Sequence, residues 1–414
     1  MTNPRKVQPT RPMAVSQMTG DQPAQSGALP RALVVGLGNG GCQIVSALAR
    51  QWKDAPRFAL VNTDGRSLTK APDIVSLQIG LQVIKGLGTG GEPRMGRRAA
   101  EADSAAIGAL FQGVDLVFLI VCLGGGTGTG AAPLLVEAAR AAGALTICFA
   151  SLPFEFEGAR RMEHAQRGIV ALQAEADAVI CLPNQRLLKM VNDRANVEEA
   201  FGQAAAMLAK SLQALWCVLS QRGVINLDLS DVRALARKGH GRCLLAWAEG
   251  SGTNKIAQVL EAVRQHDLLN QGAVLAEAEA LLVSVMGGPD VSLKDVDQLM
   301  SGISKMSRAE ALMMAGLCCA SDWQDRLFVA FLVAEKKGAH EIIVPGLKGI
   351  AQTKKDLGGA VAPGKPRQGE LFADFGRSRF NEVEATIVHG ENLDIPTFKR
   401  RGILIQKAAR PNGG

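Results

Sequence analysis

The chain has 414 residues, of which 47% are apolar and 21% charged, with no tyrosine and a net charge of +7. That apolar fraction excludes a wholly disordered protein, because disordered chains cannot bury enough surface to offset their ordering entropy. The length predicts two or three domains at ~100–200 residues each. The longest uncharged apolar run, Leu116 to Leu123, is shorter than the about 20 residues a membrane helix needs. No apolar segment follows the charged start of the chain, so no secretory leader is expected and the protein is expected in the cytoplasm.

The positive charge is unevenly spread. Residues 1–30 hold three basic residues and one acid, residues 346–414 hold twelve basic residues and seven acids, and residues 31–345 are therefore neutral. A neutral body argues against a nucleic-acid-binding core, so no specific nucleic acid is expected as a partner. Eight cysteines are scattered without paired CxxC spacing. Neither a zinc site nor a disulfide framework is expected, and most of the cysteines read as small core residues.

Residues 1–30 carry five prolines and read as a disordered arm. Strands are predicted at 32–36, 57–64, 73–80, 114–123, 144–151 and 178–183, and helices at 41–51, 96–111, 133–142 and 160–176. The run at 114–123 suits a strand buried on both faces. Residues 31–196 therefore read as an α/β domain with a doubly wound parallel sheet. A long central helix follows in 197–222. Residues 223–345 read as a second, smaller α/β domain with a mixed sheet, its strands at 243–250, 280–288, 311–320 and 327–335. Residues 346–388 are a predicted linker. Residues 389–414 recover a short apolar pattern, the signature of a docking peptide and tail.

Two glycine clusters follow predicted strands: GLGNGG at Gly36–Gly41 and GGGTGTG at Gly124–Gly130. The first fits a dinucleotide pattern, with Asp64 where a ribose-binding acid belongs. In the second, Gly124, Gly125, Gly126, Gly128 and Gly130 would let backbone N–H groups turn toward an anion at a helix N-terminus. Thr127 and Thr129 would add hydroxyl donors. The alternative is that the glycines mark tight turns with positive φ. No GxxxxGK[ST] is present, so a phosphate would be held without a loop lysine.

These motifs, with GLGTGGEPRMGRRAAE (86–101), LVNTD (60–64), LPFEFEGARRM (152–162), LPNQRLL (182–188) and NLDLSDVR (226–233), resemble the FtsZ family of bacterial tubulin homologues in order and spacing. The resemblance spans residues 31–345 and then 389–402. It implies a tubulin/FtsZ-like fold and a self-assembling cytoskeletal GTPase that forms cell-division filaments, with GTP/GDP and Mg²⁺ as cofactors. It places Gly38, Gly40, Gly41 and Gln43 at the α- and β-phosphates, and Gly88, Thr89 and Gly90 at the γ-phosphate. Asn62 of LVNTD joins the nucleotide-binding residues, and Glu157 and Arg161 grip ribose and phosphate. Asn184 lies near the sugar and base, and Phe201 stacks on the base. Without the resemblance, Glu157 and Arg161 would read as a surface i,i+4 ion pair.

Asn226, Asp228 and Asp231 match the loop that enters the next subunit's nucleotide site, where the two acids polarise the attacking water. Read from the residues alone, Asp228 or Ser230 is equally a helix N-cap. One departure concerns the base. The FtsZ pattern carries Asn and Asp where this chain has Ala205 and Ala206, and losing a charged acceptor costs on the order of 1.5–3 kcal/mol. An FtsZ-like paralogue with relaxed or weak nucleotide use, forming or regulating filaments without efficient hydrolysis, is therefore the alternative. A Rossmann-type oxidoreductase accounts for only one of the two glycine loops. LDIPTFKRR (Leu393–Arg401) resembles the peptide that docks on membrane tethers or division proteins, which implies location at the division site. The implied partners are further copies of this chain, such tethers, and a second FtsZ where one is present.

Overall fold

The computed structural model describes residues 30–335, apart from 53–55, 69–70, 72, 87, 186–196, 221–224, 226, 240 and 320–322, together with 387–388 and 391–392. One compact unit runs to Ile342. Its strands are β1 (Ala32–Leu37), β2 (Arg57–Asn62), β3 (Ile74–Gln78), β4 (Leu116–Cys122), β5 (Leu145–Leu152), β6 (Ala178–Pro183), β7 (Arg242–Ser251), β8 (Ala280–Gly287), β9 (Leu312–Cys319) and β10 (Arg326–Ala334). They form one ten-stranded sheet in the order 3-2-1-4-5-6-7-10-8-9. The first six strands are parallel. The mixed sheet of the second half is continuous with them, because β7 pairs parallel to β6 at Val179↔Arg242 and Ile180↔Cys243. Beyond that junction β10 runs antiparallel to both β7 and β8, and β9 parallel to β8.

The helices with more than one turn are α1 (Gly38–Gln51), α2 (Pro93–Ala102), α3 (Ser104–Leu110), α4 (Gly126–Ala141), α5 (Ala159–Glu175), α6 (Val197–Ser220), α7 (Leu229–Lys238), α8 (Lys255–Arg264) and α9 (Leu293–Met306). The sheet is covered on both faces, as uninterrupted apolar strands require. Phe118 and Ile120 of β4 enter the core shared with α1 and α6, whereas Val117, Leu119 and Val121 enter the opposite core under α4 and α5. α6 is the spine of the first core. Its Leu208, Leu212, Leu215 and Val218 pack in one cluster with strands of both halves. A third core lies between β8, β10 and the helices α8 and α9.

Three boundaries differ from the sequence reading. α1 and α4 begin inside the glycine clusters, at Gly38 and Gly126, rather than after them. α4 runs through Pro133, whose missing N–H forfeits one helix bond; packing against α2 overrides that local cost. The single helix expected at 96–111 is broken at Asp103, whose carboxylate accepts from the Gly80 N–H at 2.6 Å. Cys217 and Cys318, expected as unpaired core residues, are joined by a disulfide between α6 and β9. Cys42, Cys148, Cys181 and Cys243 are free and buried, as expected. No helix among the described residues is long and apolar enough to cross a membrane.

In the second unit, from Ile343 onward, a two-stranded antiparallel ladder pairs Ile387 with Asn392 and Val388 with Glu391. Residues 1–29 of the arm expected at 1–30 and the docking peptide at Leu393–Arg401 lie outside the described residues.

Candidate functional site

Parallel strands deliver all their carboxyl ends to one edge of the sheet. β1 and β4 are neighbours, but their following helices lead away in opposite directions, to β2 and to β5. This is the topological switch point, where open α/β sheets bind ligands. Both glycine clusters sit there. α1 starts at Gly38 immediately after β1, and α4 starts at Gly126 just beyond β4. Neither helix receives a side-chain cap, since Leu37 and Gly125 occupy the cap positions. α7 and α9 are capped by Asp228 and Ser292, while α2, α3, α5 and α8 also lack a side-chain cap, so it is the placing of α1 and α4 side by side at the switch point that sets these two apart. Two uncapped N-termini side by side present unclaimed N–H groups and two positive dipole ends, which suits an anion.

The glycines have separable reasons. Gly38 has φ +71°, and a Cβ there would lie 3.2 Å from the Gly128 nitrogen, so the two loops touch. A Cβ on Gly40 would reach 2.9 Å from Cys122 Cβ, and one on Gly41 would strike the Ile120 carbonyl. Gly124 has φ +98° and lies against Pro153. Gly126 packs on Thr89 and the Glu92 nitrogen, Gly128 on the Cys122 carbonyl, and Gly130 on Pro93 and Arg97. Gly125 differs: its φ is −84°, and a Cβ there would meet nothing within 4 Å. Packing or backbone angle thus explains four glycines of the second cluster, and only Gly125 leaves a space that the fold itself does not need.

Side chains brace this arrangement. The hydroxyls of Thr63 and Thr127 bond at 2.6 Å, tying the end of β2 to the first turn of α4. Thr129 Oγ1 accepts from the Gly124 N–H at 2.9 Å, so this hydroxyl holds its own loop. Asn62 is buried; its Nδ2 donates to Asn39 Oδ1 at 2.7 Å and its Oδ1 accepts from Thr63 N–H. Gln43 lies exposed on the first turns of α1. Gly88 and Gly90 adopt φ of +76° and +60°, and between them Thr89 rests on Gly126. Asp64 is paired with Arg66 at 2.8 Å, and the hydrogen bonds from Arg66 hold its carboxyl below the usual range.

At the end of β5, Glu157 accepts from the Phe154 N–H at 2.9 Å and pairs with Arg161 Nη1 at 2.5 Å. Asn184 directly follows β6 and is half-buried. Phe201 lies in the first turns of α6, with its side chain outside the described residues; Ala205 is half-buried and Ala206 exposed. Glycine loops, Asn62, Glu157 and Asn184 thus come from the carboxyl ends of five parallel strands.

The two acids are placed differently. Asp228 is the N-cap of α7, and its Oδ1 accepts from Ser230 N–H at 2.7 Å, Ser230 Oγ–H at 2.5 Å and Asp231 N–H at 3.1 Å. Asp231 Oδ2 accepts in return from Asp228 N–H at 3.0 Å. This is a reciprocal capping box. The Ser230 hydroxyl, more than the two amides, draws the Asp228 carboxyl below its ordinary pKa. Among the described residues, neither acid bonds to one at the strand ends. Asn226 lies outside the described residues.

Sequence reasoning missed Thr63, Asn39 and Gly96 as site residues. A Cβ on Gly96 would strike the Gly126 carbonyl, so this glycine admits α2 against α4. Thr63 carried a signal, a small polar residue just after a buried strand, but its partner Thr127 is 64 residues away. No group of three or more His, Cys, Asp or Glu suited to a metal occurs among the described residues.

Residues 31–192 match the model of the Tubulin/FtsZ family, GTPase domain, and residues 241–336 match the FtsZ family, C-terminal domain. The chain is 32% identical over 381 residues to the cell division protein FtsZ of Azotobacter vinelandii, covering 89% of this chain and 95% of the relative. The FtsZ of Pseudomonas aeruginosa is similar at the same identity and coverage. A solved FtsZ dimer from M. jannaschii superposes with a TM-score of 0.69 at 28% identity, covering 79% of this chain and 96% of that one. With the parallel sheet, the two uncapped helix starts and both family domains in order, the chain belongs to the FtsZ family.

Proposed function

We propose that this chain is a filament-forming GTPase of bacterial cell division that hydrolyses GTP between successive copies of itself. The observation that carries the nucleotide site is the pair of uncapped helix N-termini at the switch point, with Gly125 leaving open space beside them. Backbone amides of Gly38, Gly40 and Gly41 and of residues 125–129 would hold the phosphates, while Gly124 and Gly130 shape the loop around them, and Gln43 extends an amide from α1. Gly88, Thr89 and Gly90 would close over the γ-phosphate. Glu157 and Arg161, already paired, present a hydrogen-bonding surface for ribose and phosphate. Asn62 acts through its bonds to Asn39 and Thr63. Asn184 and Phe201 would meet the sugar and base.

A divalent ion such as Mg²⁺ would be held chiefly by the phosphates themselves and would neutralise their charge. The chain's own contribution to hydrolysis comes from Asp228 and Asp231, with Asn226 beside them. The capping box holds the two carboxylates through Asp228 Oδ1 and Asp231 Oδ2. So fixed, the acids would orient a water for in-line attack on a nucleotide held by the next copy. Capping and catalysis are compatible, because the box that caps α7 also fixes the orientation of both acids. Such a head-to-tail contact is heterologous and does not close, so it propagates as a filament. Leu393–Arg401 would attach that filament to a membrane tether at the division site.

The base is the point at which this chain departs from the family pattern, because Ala205 and Ala206 offer no side-chain acceptor. Discrimination between GTP and ATP is expected to be weak. Phosphate release from both nucleotides, measured against protein concentration, tests the reading. Specific activity that rises above a threshold concentration supports it. Filaments without turnover of either nucleotide would instead support a non-hydrolysing paralogue. Restoring the acceptors with A205N and A206D should tighten GTP binding by about tenfold or more.

A further inference from the structure

α6 is fastened to the sheet of the second half along one face. Lys210 Nζ pairs with Glu249 of β7 at 2.8 Å. One turn on, the Ala214 carbonyl accepts from Ser284 Oγ–H of β8 at 2.6 Å, a buried bond. Cys217 is joined to Cys318 of β9, with Cα atoms 6.0 Å apart and 101 residues between them in sequence. Val218 fills the space that a side chain on Gly316 of β9 would need. Positions 210, 214, 217 and 218 share a helix face. Three of these contacts are non-covalent; one is covalent and depends on redox state.

We propose that Cys217 and Cys318 form a reversible redox clamp that fixes α6 to β9. Both redox states suit the fold. Cys217 and Cys318 sit in the same apolar core as Leu215, Leu227 and Met286, where two thiols would pack as small apolar side chains. In a reducing compartment the open dithiol is the resting form, and a disulfide there is a switch rather than a permanent staple. To close the clamp, one thiolate attacks an oxidised low-molecular-weight disulfide and releases one small thiol. The second cysteine then displaces the other, so two protein thiols become one disulfide and the small disulfide becomes two thiols. Cys318 is fully buried, so exchange requires α6 to lift from β9. Cys319 is exposed, and the strand pleat puts it on the opposite face from Cys318, so it is not the partner. The same helix carries Phe201, Ala205 and Ala206 near its start. Coupling of the clamp to nucleotide use therefore rests on the site proposed above; the clamp itself does not.

The test uses the full chain, oxidised with a low-molecular-weight disulfide or reduced with a dithiol. Alkylation followed by peptide mass spectrometry should find Cys217 linked to Cys318 in the oxidised form and both alkylated after reduction and unfolding. Hydrogen exchange of α6 peptides should slow about tenfold or more on oxidation. C319S should behave like wild type, whereas C217A and C318A should lose the redox response. Full alkylation of both cysteines after oxidation, or equal α6 exchange in the two forms, overturns the clamp. Because the wild-type comparison needs no substitution, a variant that fails to fold does not block the test. Absence of turnover in both forms, with slowed α6 exchange, counts against the proposed activity and leaves the clamp standing.

Discussion

Gly125 and Gly130 lie five residues apart in the same cluster, and replacing each by alanine should have opposite effects. In the free protein, Gly125→Ala places a methyl in open space at φ −84°, where alanine is unstrained. Such a change raises stability by about 0.4–1 kcal/mol, through the unfolded chain. With nucleotide present, the methyl occupies the approach to the α4 N-terminus. Losing one charge-assisted hydrogen bond costs about 1.5–3 kcal/mol, roughly 10- to 150-fold in Kd. Gly130→Ala instead drives a Cβ into the Pro93 carbonyl and to 2.7 Å from the Arg97 nitrogen. The expected cost is about 1–3 kcal/mol of stability, because backbone is the obstacle. Thermal melts paired with titration of a fluorescent GTP analogue separate the two. G125A should melt at or slightly above wild type and bind at least tenfold more weakly; G130A should melt lower. Wild-type affinity in G125A would refute the role of that open space.

Other expectations follow from the C-terminal half. Asp231→Ala should abolish turnover and spare nucleotide binding, with about 0.5–2 kcal/mol lost from the α7 cap; unchanged turnover would remove the acid from the mechanism. His266 is buried, and desolvation lowers its pKa to about 4, with Asp267 opposing. The unfolded chain therefore takes up that proton first as pH falls. Stability should drop between about pH 6.5 and 4, by up to about 3 kcal/mol, and His266→Asn should flatten this range in denaturant titrations. Lys255 is buried along its stem and pairs with Asp290, which is exposed, so Asp290→Asn removes a partner that solvent already screens. The urea midpoint should fall only modestly.

Much of the fold is legible in the sequence because its strands are buried on both faces. Runs such as Leu116–Cys122 need no knowledge of their neighbours to be read as strands. What joins residues distant in sequence is not legible in this way. Nothing local to Val179 or Arg242 signals that they pair and make one sheet of two halves. Cys217 and Cys318 each look like small core residues, and only the packing of α6 on β9 brings them together. The glycine clusters are half legible. Their place after strands at the sheet edge follows from the sequence. That Gly126, Gly128 and Gly130 serve close packing, while Gly125 alone leaves space, depends on where Thr89, Cys122 and Pro93 fall. The loop of Asp228 and Asp231 shows the converse case, in which a local rule, the capping box, is fully obeyed at residues proposed to act elsewhere.

The central proposal is a catalytic site shared between two copies, and complementation tests it most directly. G125A keeps the acids but binds nucleotide at least tenfold more weakly; D231A keeps nucleotide affinity but lacks an acid. At a nucleotide concentration between the two affinities, each alone should be nearly inactive in phosphate release. Mixed in equal amounts, some interfaces join an intact nucleotide site to an intact acid, and turnover should reappear above the assembly threshold. A mixture no more active than its two components, although sedimentation shows that they co-assemble, would contradict a shared site.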